Sequence, residues 1–436
     1  MIEKKRFGVA FSGGGYRAAA FHLGTLKKLN ELGILARVDV LSTISGGSIT
    51  GAAYCLHSGN FEKFERSMVC SLSKHSVIKY MLTSWAFYKA VFCCLIFIIP
   101  AIYLLFTSWA PFAVLPTLIL FYILLKYQFK IFPISSIIER AYDQFFFNKA
   151  RLQDLCIAPE LAIGSTNLQT SRPFTFSKRK MEDSYYAYLP APVRYNGELF
   201  PIARAVMASS CVPFAFTPVC IDRQYYLDYE SAVKQKVCPN LVDGGVYDNQ
   251  GVQKLTQDGS SYACDIVLVS DAGNKLPFEK LYNNTFTLLL RTVDTFMVRI
   301  KNFQMAQNIF QTPNHREVAY QSLGWDIDNC LQGFYNSLLD KKLSSDVLKL
   351  HSMPDEWLAS IPTFKTDIIN YMQARCGIDR IKSTCLNDSE LMSIRDVGTN
   401  LTSLSEKTVL NLMKHAADLT EIQLRLYCPS LFTETE

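Results

Sequence analysis

With 436 residues, 49% of them hydrophobic and 19% charged, the chain carries enough apolar material for a large folded core and is not a disordered polymer. Its formal charge of +5 is small for that length and no long Lys/Arg run occurs, which argues against nucleic acid as a partner and leaves a membrane surface open. Thirteen cysteines without regular spacing, and no CxxC pair or HExxH, speak against a disulfide framework and a zinc site and for reduced thiols in a cytosolic setting.

The N-terminal basic residues run into Ser12 and three glycines before a signal-peptide core can form, so this end is expected to be retained. Phe7 to Phe11 reads as a short buried strand. It ends at Ser12-Gly13-Gly14-Gly15, after which Ala18 to Leu32 carries leucines at 23, 26, 29 and 32, a helical spacing stopped by Gly33. Strand, glycine loop and helix together aim backbone N–H groups at negative charge. Three readings fit that loop. Gly13 to Ala18 satisfies the dinucleotide fingerprint GxGxxG/A, with Asp39 at about the distance of a ribose-binding acid, although it sits early in its strand. The same loop suits the oxyanion of an ester-hydrolysis intermediate, which also needs fixed N–H donors and no side chains in the way. The third reading is a plain tight turn.

Val38, Val40 and Leu41 mark the next buried strand and Ile49 to Leu56 a helix, with Thr43-Ile44-Ser45-Gly46-Gly47 between them. A sharp strand-to-helix turn crowds the backbone so that only small residues fit, and it lifts a serine hydroxyl out of the sheet; this is a nucleophile elbow. Thr43 stands where the usual GxSxG has its first glycine. On this stretch alone, a helix N-cap ahead of a glycine turn is the commoner role for such a serine.

From Ala90 to Leu125 there are 36 residues without a charge. Eleven strongly inserting residues between Val91 and Phe106 favour the bilayer by roughly 5 kcal/mol. Thr107-Ser108-Trp109 interrupts the run, and Pro111 follows where a first helical turn tolerates it. We expect two helices joined by a short turn, the second from Trp109 to Leu125, about 25 Å long against a hydrocarbon core of ~30 Å. A re-entrant hairpin is the alternative to a full span.

Beyond it, Ile157 to Gly164 and the alternating Arg172-Pro173-Phe174-Thr175-Phe176 read as strands, Lys178, Arg179 and Lys180 as solvated surface or a lipid head-group contact, and Ile202 to Ala208 as a short helix before Ser209-Ser210-Cys211-Val212-Pro213. Leu241-Val242-Asp243-Gly244-Gly245 is a strand end delivering an acid to a glycine turn. Asp265 to Ser270 is a further buried strand. Long amphipathic stretches then follow at Tyr282 to Gln311, Thr366 to Arg375 and Ser405 to Tyr427, so the last third is expected to be helical and packed on or beside an α/β domain.

Ser-Gly-Gly-Gly-Tyr-Arg at 12–17, Thr-Ile-Ser-Gly-Gly at 43–47, Ala-Ser-Ser-Cys-Val-Pro at 208–213 and Asp-Gly-Gly at 243–245 resemble, in order and character, the patatin-like phospholipases. The resemblance covers roughly 7–75 and 150–275 and implies a three-layer α/β/α domain interrupted by the hydrophobic hairpin. The expected bounds are 1–80 and 131–275 for the catalytic domain, 81–130 for the hairpin and 276–436 for the helical C-terminal region. It also implies a serine–aspartate pair without histidine: Ser45 as nucleophile and Asp243 as general base. Gly14 and Gly15 match the oxyanion loop, the N–H of Gly46 assists by elbow geometry, and Gly13, Arg17, Gly47, Gly244 and Gly245 support the motifs, Arg17 chiefly by fixing the loop. Ser12 replaces the usual acid before the glycines. The chemistry expected is cleavage of fatty-acyl esters of membrane phospholipids or related lipids through an acyl-enzyme, with no metal or other cofactor. Alternatives on the same scaffold are an acyltransferase or a triacylglycerol lipase or esterase. A non-catalytic lipid-binding protein, and control by an unknown signal or partner through the C-terminal helices, remain open. Lys74, Lys79 and Lys89 before the hairpin and Lys126 and Lys130 after it put the catalytic domain on the cytoplasmic side.

Overall fold

Nine strands form one mixed sheet among the described residues: β1 (Phe7–Phe11), β2 (Val38–Ile44), β3 (Glu160–Asn167), β4 (Arg172–Phe176), β5 (Met181–Asp183), β6 (Val219–Cys220), β7 (Asn240–Asp243), β8 (Ile266–Asp271) and β9 (Glu317–Ser322). The computed structural model describes residues 5–57, 59–273, 282–308 and 315–433. The order is β5-β4-β3-β2-β1-β8-β9, with β3, β2, β1, β8 and β9 parallel and β4 and β5 antiparallel at one edge.

Along β1, Phe7, Val9 and Phe11 enter one core and Ala10 the other, so both faces of this central strand are dry. That is the pattern of a parallel strand covered by helices on both sides. The larger core lies under α1 (Gly15–Glu31), α2 (Gly46–Leu56) and the helix Glu406–Tyr427, which packs along α1. That packing is close because Gly24 has no side chain: a Cβ there would lie 2.1 Å from the Met413 carbonyl oxygen. The smaller core, with Val252, Leu255 and Tyr262, is covered in part by Met305 of the helix Thr285–Asn308. The expected α/β/α sandwich is therefore present, with unequal outer layers.

α3 (Phe61–Lys74) and α4 (Val77–Leu82) lead to α5 (Trp85–Leu105) and α6 (Val114–Ile131), which pack together as a hairpin, and α7 (Ile134–Tyr142) returns the chain to the sheet. Both hairpin helices run past the uncharged stretch. α6 has 18 residues and is about 27 Å long, slightly longer than expected because Lys126 and Lys130 extend it. Neither helix has a buried residue.

The C-terminal third is helical as expected but also contributes β9, parallel to β8. Its alternation is hidden because all six residues are buried, so Glu317 and Gln321 sit in the interior instead of marking a wet face. The stretch expected as helix from Tyr282 to Gln311 is helical over Thr285–Asn308. Residues 309–311, like the expected boundary at 275, lie outside the described residues.

Candidate active site

The sheet brings the end of β2 and the end of β7 together by giving them one lane beside β3. Ile44 pairs with Gly164 at the last position of the parallel β2–β3 ladder. At the next position of β3, Ser165, the partner is Asp243, the last residue of antiparallel β7. One strand runs up and turns away, the other runs down and stops, and Ser45 and Asp243 meet at the junction. The Ser45 hydroxyl faces the Asp243 carboxylate closely enough to lower its pKa.

Ser45 has φ 50° and ψ −117°, a conformation L-residues seldom adopt and a structure retains only when its surroundings enforce it. The surroundings are on hand. The Ser45 N–H donates to Ser209 Oγ at 2.8 Å, and that hydroxyl donates to the Gly164 carbonyl at 2.6 Å. Behind the serine, Gly47 lets α2 touch the end of β1: a Cβ there would lie 2.7 Å from the Phe11 carbonyl oxygen. Thr43 fits in place of the customary glycine because α2 gives way at Gly51, where an added Cβ would lie 2.6 Å from the Thr43 methyl. Ser48 Oγ donates to Thr43 Oγ1 at 3.0 Å.

The glycine loop lies against the elbow. A Cβ on Gly13 would be 3.2 Å from Ser45 Cβ, and one on Gly46 would be 2.2 Å from the Gly15 carbonyl oxygen. The Gly13 N–H is engaged by the Asn249 carbonyl at 3.0 Å, whereas those of Gly14, Gly15 and Gly46 take no acceptor among the described residues. Gly14 at φ 143° and Gly15 at φ 60° hold a backbone that side chains resist. Ser12 replaces the customary acid and anchors the loop as an acid would, accepting the Ala272 N–H on its Oγ at 2.8 Å. Arg17 is buried, and its Nη1 donates to the Val397 carbonyl at 2.7 Å.

Asp243 accepts the Gly245 N–H on Oδ1 at 2.7 Å. Burial pushes its carboxyl up to about 6, while the Gly245 N–H and the Ser45 hydroxyl pull it partway back. Gly244 and Gly245 are dictated by space: a Cβ on the first would lie 2.5 Å from the Gly164 carbonyl oxygen, and one on the second 2.9 Å from Met297 Cε of the covering helix Thr285–Asn308.

Four of the six histidines are bonded elsewhere. His22 bonds the Ser12 carbonyl and Ser270 Oγ under the glycine loop, His57 the Ala53 carbonyl, His351 the Leu426 carbonyl and His415 the Leu323 carbonyl. Burial pushes His22 and His415 down to about 4, so both are neutral near pH 7. Asp39 lies at the opposite end of the sheet from the glycine loop, where its Oδ2 accepts the Phe7 N–H at 2.8 Å. Asp39 is too far from that loop to hold a ribose bound there, so the dinucleotide reading loses the acid assigned to it.

Four participants carried no distinct signal in the sequence. Ser209 reads only as one serine of a short motif, yet it holds the elbow. Asn249 follows an Asp-Gly turn and is drawn back onto Gly13. Val397 and Asn400 belong to a stretch without any motif, and only the chain's return onto α1 brings them here.

A family model described as patatin-like phospholipase matches residues 9–255. Among solved structures, the chain is similar to VipD from Legionella pneumophila at 10% identity, covering 95% of this chain and 91% of that one with a TM-score of 0.29. It is also similar to human GIVD cytosolic phospholipase A2 at 11% identity and a TM-score of 0.45, covering 98% of this chain and 63% of that one. The complex of that enzyme with methyl gamma-linolenyl fluorophosphonate and terbium chloride gives 13% identity and a TM-score of 0.46 over 98% and 60% of the two chains. No curated protein matches the sequence.

Proposed function

This chain belongs to the patatin-like phospholipase family, and on that premise we propose that it is a membrane-associated lipid acyl hydrolase working through Ser45 and Asp243. The observation that carries the reading is the buried Asp243 carboxylate facing the hydroxyl of a serine held at an elbow, beside three glycine N–H groups without acceptors among the described residues. Ser45 Oγ attacks the ester carbonyl as its proton passes to Asp243. The N–H groups of Gly14, Gly15 and Gly46 take the developing oxyanion. Collapse of the tetrahedral intermediate breaks the bond to the alcohol, which leaves with the proton from Asp243. Water then cleaves the acyl-Ser45 ester by the same proton relay, releasing fatty acid and restoring both side chains. The test is fatty-acid release from phospholipid, lysophospholipid and triacylglycerol dispersions, measured by mass spectrometry with Ser45→Ala as the control. Acyl chains recovered on another lipid and not as free acid would replace hydrolysis with acyl transfer.

Membrane attachment rests on α5 and the segment from Ala110 onward, both long and apolar enough to cross a bilayer. Between Ala90 and Leu125 their outer surfaces carry no charge, with Trp85 at the base and Phe106 and Trp109 at the tip exposed. Ser45 precedes the hairpin and Asp243 follows it, so a single crossing would separate two residues that touch. The hairpin must therefore cross twice or dip and return, and the lysines at its base favour the cytoplasmic side for the catalytic domain. A cysteine at Ser108, with Cys93 and Cys94 replaced, is expected to react with an impermeant thiol reagent from the side opposite the catalytic domain. Reaction only from the catalytic side would mean a re-entrant hairpin, and release of the protein by high salt alone would mean no insertion.

A further inference from the structure

The helix Asp388–Arg395 ends in an extended stretch that crosses the glycine loop before the helix Glu406–Tyr427 begins. Every polar contact between this stretch and the loop uses the stretch's carbonyl oxygens. The Asn400 carbonyl accepts the Tyr16 N–H at 3.0 Å, and the Val397 carbonyl accepts Arg17 Nη1 at 2.7 Å. The Asn400 backbone also lies directly on Gly15: a Cβ there would be 2.3 Å from its carbonyl oxygen, 3.1 Å from its carbonyl carbon and 3.2 Å from its nitrogen. Gly15 in turn touches Gly46. The stretch is pinned beyond the contact as well, since the Leu401 carbonyl accepts the Val77 N–H at 3.0 Å and the Leu404 N–H donates to the Leu72 carbonyl at 3.0 Å.

We propose that residues 397–402 are a positioning strap for the oxyanion loop, and that the Asn400 side chain sets the strap. The inference rests on the hydrolase reading above. Tyr16 and Arg17 follow immediately after Gly14 and Gly15, so fixing the first turn of α1 from outside fixes the direction of the two donor N–H groups, and the electrostatic contribution of such donors depends on their being aimed before the charge develops. Carbonyls cannot be removed by side-chain replacement, but the turn that presents the Asn400 carbonyl is held by a side chain. Asn400 Oδ1 accepts the Thr402 N–H at 3.1 Å and the Thr402 hydroxyl at 2.6 Å, a local Asx-type closure. Asn400 itself is otherwise exposed, so its replacement removes little packing. The strap lies beyond the 9–255 match, so the donors of the catalytic loop are oriented by a part of the chain that the family pattern does not contain.

The experiment compares full-length wild type, Asn400→Ala, Asn400→Asp and Thr402→Val on a soluble short-chain ester, well below each melting temperature, and measures the rate of Ser45 labelling by a fluorophosphonate. Asn400→Ala is expected to lower kcat and the labelling rate by roughly 5- to 20-fold with KM within twofold, a fraction of the effect of losing a donor outright. Asn400→Asp keeps the acceptor and should recover most of both rates. Thr402→Val, which keeps the backbone N–H, should fall between them and serves in place of Asn400→Ala if that variant does not fold. Labelling and kcat equal to wild type in Asn400→Ala, or in Thr402→Val where it takes that place, would overturn the strap alone, as would equal impairment of the Ala and Asp variants. Absence of Ser45 labelling in wild type would instead overturn the hydrolase reading and the strap with it.

Discussion

Ser45→Ala is expected to reduce ester hydrolysis by roughly 10⁴-fold or more, the scale on which loss of a nucleophile is felt in a serine hydrolase. Asp243→Asn should cost roughly 10² to 10⁴, the range of a general base, because the amide still accepts the Gly245 N–H but cannot take the serine proton. His351→Gln and His415→Gln should leave turnover near wild type, since these rings are bonded to the Leu426 and Leu323 carbonyls. The same is expected of His315→Gln. A histidine variant that stays folded and loses activity would replace the two-residue mechanism with a triad.

The pH dependence follows from the raised carboxyl of Asp243. Because it must be ionised to accept a proton, kcat/KM should be flat above about 6 and fall roughly tenfold per unit below it. The effect on stability has the opposite sign. An acid whose folded value, about 6, lies above its ordinary 3.8 favours the folded state when protonated. That contribution is complete below about 3.8 and is lost as pH rises to about 6, leaving the ionised group as a cost of about 3 kcal/mol at most. Asp243→Asn should therefore melt above wild type at pH 8, with the difference shrinking toward pH 4. Equal melting curves at pH 8 would mean that the buried charge is not a cost, and the base would have lost its source of strength.

Much of this site is legible in the residues because the chemistry and the local backbone demand the same thing. A serine between a β-branched strand and two glycines, and an acid before two more, are signs of backbone crowding before they are signs of catalysis, and the crowding is visible at Gly47 and Gly244. What the residues hide is adjacency. Nothing in Asn240–Asp243 says that it takes over the lane that β2 leaves at Ile44, which depends on the register of both strands against β3. β9 is hidden for a related reason: it is buried along its whole length, so polar residues such as Glu317 and Gln321 break the apolar run without marking a face. The hairpin is the reverse case. Its uncharged length is plain, while its relation to the site comes only from the contact between Ser45 and Asp243.

The glycine loop should separate loss of a donor from loss of its support. Gly14 sits at φ 143°, and an added Cβ would meet nothing closer than the Ala18 methyl at 3.1 Å. Gly14→Ala is therefore expected to strain the loop's own backbone without a clash, costing roughly 1–3 kcal/mol of stability and lowering kcat by roughly 10², the effect of one misdirected oxyanion donor. Gly15→Ala meets a harder obstacle, because its Cβ would lie 2.3 Å from the Asn400 carbonyl oxygen and neither backbone is free to rotate away. It should lower kcat by roughly 10² or more and the melting temperature further than Gly14→Ala does, since the strap must lift. Gly46→Ala, 2.2 Å from the Gly15 carbonyl oxygen, drives the elbow and the loop apart and should resemble Gly15→Ala. The comparison rests on the ratio of the two readouts, kcat against melting. If Gly14→Ala and Gly15→Ala lose stability equally, the strap bears no more on Gly15 than the rest of the fold does. If Gly14→Ala keeps wild-type kcat, the oxyanion is held by donors other than this loop, and micromolar binding of a nicotinamide or flavin dinucleotide measured by calorimetry would return the loop to the fingerprint it formally satisfies.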